Sequence, residues 1–311
     1  MRSGEIADDP LLPALGAFRD EGLHTVLARH GVRVADRSPR LLGHHPGERC
    51  TMLVRAPAGP LVVKAYAGDV APFVSAMHAL AAAGLADGRA PSVPPLLAHD
   101  RDLGFVVTPL FTGRPMRELI RAGEGRRAGE LAAAWLRVAA GSGVEVGIAY
   151  GPGVLLERLE SWTPCLERAD AGLALRAGRL VEALASAPAS GRRSILLHGA
   201  FSPRHLVELP GGPGVFDLDA VGYGPAEVDA GMMLAGLSRL GAAGRLQAEA
   251  AAATAAFRDG IADSVDAEAL VWYEAAQLVK LVDYLAFRRP RRWRERSEAL
   301  LEASERLASA R

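Results

Sequence analysis

Leu196-Leu197-His198-Gly199-Ala200-Phe201-Ser202-Pro203-Arg204-His205, followed twelve residues later by Asp217-Leu218-Asp219, is the stretch around which the chain is organised. Two short apolar runs, Ser194-Ile195-Leu196-Leu197 and Gly214-Val215-Phe216, read as strands within an otherwise helical half, and each delivers the chain into a polar loop. A carboxylate set directly after a buried strand is costly unless a cation or hydrogen-bond donors meet it. Asp217 is in that position, and Asp219 either joins the same partner or braces the loop. The competing reading is a pair of turn-forming or capping acids.

At 311 residues the chain is long enough for two lobes with a large core. Half of it is hydrophobic and 23% is charged, as in a globular protein. Lys+Arg and Asp+Glu both number 36, so no broad field favours nucleic acid or an anionic membrane, and neither is expected as a partner. The Ala-rich runs at 131–140 and 246–257 are broken by Arg, Glu or Gln and fall short of the roughly 20 apolar residues of a membrane span. Met1 to Pro13 lacks the basic start and apolar run of a signal peptide. The two cysteines, Cys50 and Cys165, are far apart in sequence; they suit a reducing cytoplasm and suggest neither a disulfide framework nor a zinc cluster.

Residues 14–30 carry Leu15, Phe18, Leu23, Val26 and Leu27 at helical spacing, predicting one amphipathic helix that ends before Gly31. Strand-like runs follow at Val32–Val34, Thr51–Arg55 and Leu61–Tyr66, the last two joined by Ala56-Pro57-Ala58-Gly59-Pro60 as a hairpin. A helix is expected over Val70–Ala83, then strands near Val93–Leu97 and Phe105–Leu110. From Met116 the pattern turns helical, with segments at 116–122, 126–140, 153–168, 171–186, 226–240, 243–260, 266–288 and 291–310. This divides the chain into a small sheet-rich part, 1–112, and a larger helical part, 113–311.

With these motifs in order, the chain resembles the aminoglycoside phosphotransferase and choline kinase-like superfamily. The matching residues are Gly43-His44-His45-Pro46-Gly47-Glu48-Arg49-Cys50, Val62-Val63-Lys64, His198-Gly199, Asp217-Leu218-Asp219 and Gly224-Pro225-Ala226-Glu227-Val228-Asp229. The resemblance implies an α+β, bilobal, protein kinase-like fold with a β-rich N-terminal nucleotide-binding lobe and a mostly helical C-terminal lobe. It implies ATP as phosphoryl donor, with Lys64 and the loop at Gly47 on the phosphates and Asp217, with Asp219, on Mg²⁺ or Mn²⁺. Asp229 resembles a structural acid that braces the loop and caps a helix. His44 and His45 read as exposed loop residues, and Lys64 alone would read equally well as a surface residue of an edge strand.

Three positions depart from the pattern. In kinase-type loops of the form His-x-Asp-x-x-x-x-Asn, the Asp is the base and the Asn meets a metal; here Ala200 leaves the base position vacant and His205 replaces the amide. The helix over Val70–Ala83 contains no Glu to pair with Lys64. His205, Glu208 and Asp219 are the nearest substitutes for the base, and His198 reads as a structural member of the catalytic loop. Imidazole suits zinc better than Mg²⁺, but His198, His205, Asp217 and Asp219 follow no familiar zinc spacing. Three functions stay open: a phosphotransferase acting on a hydroxyl of a small molecule, aminoglycoside-like or another natural product; a pseudokinase that binds nucleotide or a partner protein; and a peptide-modifying kinase of natural-product maturation. The C-terminal helices mix acids (Asp259, Asp263, Asp266, Glu268, Glu274, Asp283) with the basic run Arg288-Arg289-Pro290-Arg291-Arg292, so the acceptor is not readable from charge.

Overall fold

Alternating apolar residues build a sheet in one part of the chain and 3.6-residue periodicity builds helices in the other. The computed structural model describes residues 6–35, 39–189, 194–242 and 244–309, and forms two compact units, Met1–Thr112 and Gly113–Arg311.

The first unit opens with α1 (Pro13–Ala17), a π-type turn at Phe18–Gly22, and α2 (Leu23–Arg29). The single helix expected over 14–30 is interrupted because Gly22 takes φ 88, which a helix cannot pass through. Leu15, Phe18, Leu23, Val26 and Leu27 are nonetheless all buried. Val32–Val34 is not a strand. Gly31 adopts φ 77 and the Val32 amide closes back onto the Leu27 carbonyl, so this segment ends α2 instead. The antiparallel sheet has the order β1-β2-β3-β5-β4, from β1 (Arg40–His45), β2 (Arg49–Ala56), β3 (Gly59–Tyr66), β4 (Ala98–Asp100) and β5 (Phe105–Pro109). Cys50, Met52 and Val54 of β2 and Leu61, Val63 and Ala65 of β3 are buried in one cluster with the residues of α1 and α2. Strand alternation sends Lys64 to the other face, where Val106, Tyr66 and Leu96 pack with Val70, Phe73 and Val74 at α3 (Ala71–Ala82). The strand expected at Val93–Leu97 begins only at Ala98, because Pro94 and Pro95 have no amide hydrogen for a ladder.

The second unit contains β6 (Arg114–Pro115), α4 (Met116–Arg121), α5 (Gly125–Gly141), β7 (Ile148–Ala149), α6 (Pro152–Ala169) and α7 (Ala171–Ser186). There follow β8 (Ser194–Leu197), β9 (Leu206–Leu209), β10 (Gly212–Val215), β11 (Gly222–Pro225), α8 (Glu227–Gly241), α9 (Gln247–Ile261), α10 (Ala267–Arg288) and α11 (Trp293–Ser309). The expected helices recur with shifted ends; Ala243 and Ala310, at the ends of two of them, lie outside the described residues. The strands form two three-stranded sheets, β10-β9-β6 and β7-β11-β8. Helix α10 is buried along most of its length, and its Trp272 indole donates to the Leu184 carbonyl at 3.0 Å. No helix among the described residues is long and apolar enough to cross a membrane.

Helices α5 and α9 approach through glycine. A Cβ on Gly129 would sit 2.2 Å from the Ala253 carbonyl oxygen, and one on Gly125 would sit 2.1 Å from that of Glu249. Gly178 in α7 has open space around its Cβ position. Gly129→Ala is therefore expected to destabilise by about 1–3 kcal/mol through overpacking, whereas Gly178→Ala should stabilise by roughly 0.5–1 kcal/mol. Denaturant melts of both variants check the contrast; equal effects would contradict the close helix pairing.

Candidate active site

One buried carboxylate shapes the loop that follows β8. Asp229, in the first turn of α8, accepts the backbone amide of His198 at 2.6 Å and that of Gly199 at 3.0 Å. Burial pushes its pKa up to about 7, against the opposing pull of the backbone donors at His198, Gly199 and Phe201. It does not cap α8, whose N-cap position is Ala226. Gly199 has no alternative: its φ is 71, and a Cβ there would meet the Ala220 carbonyl oxygen at 1.9 Å and the Tyr150 hydroxyl at 2.3 Å. Tyr150 donates to that same carbonyl at 2.7 Å, tying the segment between β7 and α6 to the loop before β11.

The two histidines stack, with centroids 5.2 Å apart and planes 3° from parallel. Their proton positions follow from their partners, since a carbonyl can only accept. His198 Nε2–H donates to the Phe216 carbonyl at 2.9 Å, and Nδ1 accepts the Ala200 amide at 3.2 Å. Both nitrogens are thus spent, and burial, then neighbouring His205, lowers the pKa to about 3. The ring is therefore a neutral strut of the loop, with both nitrogens engaged. His205 Nδ1–H donates to the Ala200 carbonyl at 2.8 Å, while Nε2 lies 2.9 Å from Arg204 Nε and 3.2 Å from Asp217 Oδ2. A neutral ring accepts from Arg204; an imidazolium would donate to Asp217. His205 is itself buried.

Asp217 follows β10 in the left-handed conformation, φ 69, one of three non-glycine residues so placed among those described. Such a residue is uncommon, and Asp tolerates the region better than most side chains. Its side chain is 31% exposed, against 5% for that of His205, so its carboxylate reaches outward from a buried base. Asp219 is half-buried two residues on. Both offer the hard oxygen donors Mg²⁺ prefers. No group of three or more His, Cys, Asp or Glu among the described residues could hold a metal unaided.

Elsewhere the expectations need correction. In the first unit, Gly43–Cys50 is a β1–β2 hairpin rather than an open loop, with Gly47 at φ 72 in its turn. The Gly47 amide donates to Asp9 at 2.8 Å, so the donor expected to meet phosphate is already engaged. His44 also meets Asp9, at 2.9 Å, and is half-buried rather than exposed. The Gly47 amide and then His44 hold the Asp9 carboxyl below its usual range. In the second unit, Glu208 pairs with Arg127 at 2.8 Å. Sequence reasoning missed Asp9, Tyr150 and Lys280. None lies in a motif, though Tyr150 stands just before a Gly-Pro helix start.

Residues 45–262 match the model of the phosphotransferase enzyme family, and no curated protein matches the chain. Among solved structures, the choline kinase LicA from Streptococcus pneumoniae is similar at 12% identity, over 96% of this chain and 99% of that one, with a TM-score of 0.62. A glucosamine kinase in complex with glucosamine, ADP and inorganic phosphate is 20% identical over 96% of this chain and 88% of its own, with a TM-score of 0.59. A thermostable mutant of aminoglycoside phosphotransferase APH(4)-Ia, in ternary complex with ADP and hygromycin B, is 11% identical over 93% and 98%, with a TM-score of 0.63. At such identities the likeness establishes the kinase-like α+β fold.

The neutral His198 strut sets a pH signature. An unfolded chain protonates this ring near pH 6.5 while the folded one refuses the proton until about pH 3. The stability it confers is complete above pH 6.5 and declines as pH falls through that window, by up to about 1.4 kcal/mol per unit. His198→Gln should flatten the decline between pH 7 and 5 in denaturant melts; an identical slope would show that the ring titrates normally.

Proposed function

The chain belongs to the phosphotransferase enzyme family, and from that premise we propose that it transfers the γ-phosphoryl group of ATP to a hydroxyl of a small molecule. The observation that carries this reading is Asp217: a carboxylate kept in a left-handed conformation beside a loop frame that stays fully braced although its base is gone. Strain of this kind persists where the surrounding structure over-determines it, typically at functional sites.

In this account Asp217 and Asp219 hold Mg²⁺, or Mn²⁺ through the same oxygen chemistry, and Lys64 pairs with the nucleotide phosphates. The metal, when bound, neutralises charge on the phosphoryl oxygens. The acceptor oxygen forms a bond to the γ-phosphorus, the bond to the bridging oxygen breaks, and ADP leaves with the electron pair. The hydroxyl proton passes to solvent or to the transferred phosphate, since Ala200 carries no base. Phosphoryl transfer tolerates that loss better than most chemistry because its loose transition state depends mainly on positioning and charge neutralisation. The missing base costs about 10²–10⁴ in rate. Both cysteines are free thiols, which accords with a cytoplasmic setting.

Two observations favour a second reading, a pseudokinase that binds nucleotide or a partner protein without turnover. They are the methyl group at Ala200 and the capture of the Gly47 amide by Asp9.

Ala200→Asp separates the two. Restored at the base position, the carboxylate should raise acceptor-dependent ATP consumption by about 10²-fold or more. No gain, with nucleotide still bound, would favour the pseudokinase. Lys64→Ala should weaken ATP binding at least tenfold, and an unchanged affinity would remove this lysine from the phosphates.

A further inference from the structure

Arginines gather at the end of the loop that carries the vacated base position. Arg204 ends the loop, its Nε–H directed to His205 at 2.9 Å. Helix α8 lies hard against the same loop, since a Cβ on Gly236 would come within 2.7 Å of Pro203 Cδ. One turn further along α8, the Arg239 guanidinium lies over the Tyr284 ring of α10 at 5.8 Å, and Arg288 approaches the same ring at 5.9 Å. Arg117, on α4, is near enough for its charge to be felt by Arg239 and to feel that of Arg204. Nε of Arg117 and Nε of Arg239 are both buried without a hydrogen-bond partner, as is Ser202 Oγ on the loop. Among the described residues no carboxylate forms an ion pair with Arg117, Arg204 or Arg239.

These guanidiniums sense one another. Burial, then the repulsion of Arg121 and Arg204, lowers the pKa of Arg117; burial lowers that of Arg239, with Arg204 and Arg117 adding to it against the opposing pull of Tyr284. Lys280, one turn before Tyr284 on α10, is lowered to about 8 by burial first and then by Arg158, with Arg204 contributing. The nearby acids do not offset this. Asp229 already serves backbone amides, Asp217 meets the same His205 Nε2 as Arg204 and so faces only the exposed member of the group, and burial pushes Asp283 up to about 7. A guanidinium does not shed its proton to escape such a setting. Arg117 and Arg239 are half-buried cations with no paired carboxylate and an idle Nε donor, and Arg204 adds an exposed positive charge near them; such a group needs an anion brought by a ligand.

We propose that Arg117, Arg204 and Arg239 form an anion site beside the catalytic loop that holds a phosphate or carboxylate group of the acceptor. The inference rests on the phosphotransferase reading and narrows it: the acceptor is a small hydroxylated molecule that also carries negative charge. A polycationic acceptor, as an aminoglycoside would be, is repelled here.

The test is calorimetric titration of the full chain with inorganic phosphate, and separately with citrate, in chloride-poor buffer without nucleotide. Wild-type protein should bind at least one of these anions and melt at a higher temperature in its presence. Arg204→Gln, whose exposed side chain poses little risk to folding, and the pair Arg117→Gln with Arg239→Gln should each weaken binding at least tenfold. Arg239→Gln without anion should melt no lower than wild type, because repulsion is relieved. Tighter phosphate than citrate points to a phosphorylated acceptor, and the reverse to a polycarboxylate. Lys64→Ala should keep its anion affinity, and the pair Arg117→Gln with Arg239→Gln should keep its affinity for Mg²⁺-ATP. Absence of binding, affinity unchanged by the arginine substitutions, or affinity lost only in Lys64→Ala would each overturn the site. If phosphate binds through the arginines but Mg²⁺-ATP does not bind at all, the anion site stands and the phosphotransferase reading falls.

Discussion

The Asp229 carboxylate holds the amides of His198 and Gly199, and through them fixes where the whole loop to His205 can run. That bond makes no use of the side chain at position 200. His198, pinned on both nitrogens between Ala200 and Phe216, joins this loop to the strand that presents Asp217. Tyr150 closes the arrangement from the other side, over a glycine that cannot carry a side chain. The frame and the side chain at position 200 are therefore separable: the loop keeps its geometry, and with it the placement of Asp217, around an alanine.

The surroundings of that frame have their own logic. Around position 200 the structure has a methyl group, the buried His205 imidazole and the Arg204 guanidinium bonded to it. An anionic acceptor would be attracted by the same groups that make an additional carboxylate unnecessary for binding. Phosphoryl transfer, governed by charge neutralisation and position, can run slowly under those conditions. The first unit carries a parallel economy: the amide of Gly47 is satisfied by Asp9, so a nucleotide that uses this amide must displace a carboxylate that already mimics phosphate.

Much of this was legible from the sequence where the signal is local. The β2–β3 hairpin follows from alternation around a Pro/Gly turn, and α5 to α11 follow from periodicity. His198-Gly199 and Asp217 follow from strand-to-loop transitions. What escaped was set by backbone detail or by distant partners. Gly22 breaks a helix that its neighbours' apolar spacing supports, and Pro94 and Pro95 displace a strand. Strands β9 and β11 are only four residues each and rich in glycine, proline or mixed side chains. Asp9 meets Gly47, and α8 packs at Gly236 against Pro203 of the loop, across separations that no pattern in a single sequence encodes. His198 was placed correctly in the loop, but its neutrality required knowing both of its partners.

The central claim is that the braced frame around Asp217 still handles a metal nucleotide. The most direct measurement is calorimetric titration of ATP into wild type and Asp217→Asn, with and without Mg²⁺. The account predicts binding that requires the metal and is lost or greatly weakened in Asp217→Asn. Binding indifferent to both metal and substitution, or no binding to the wild type, would contradict it.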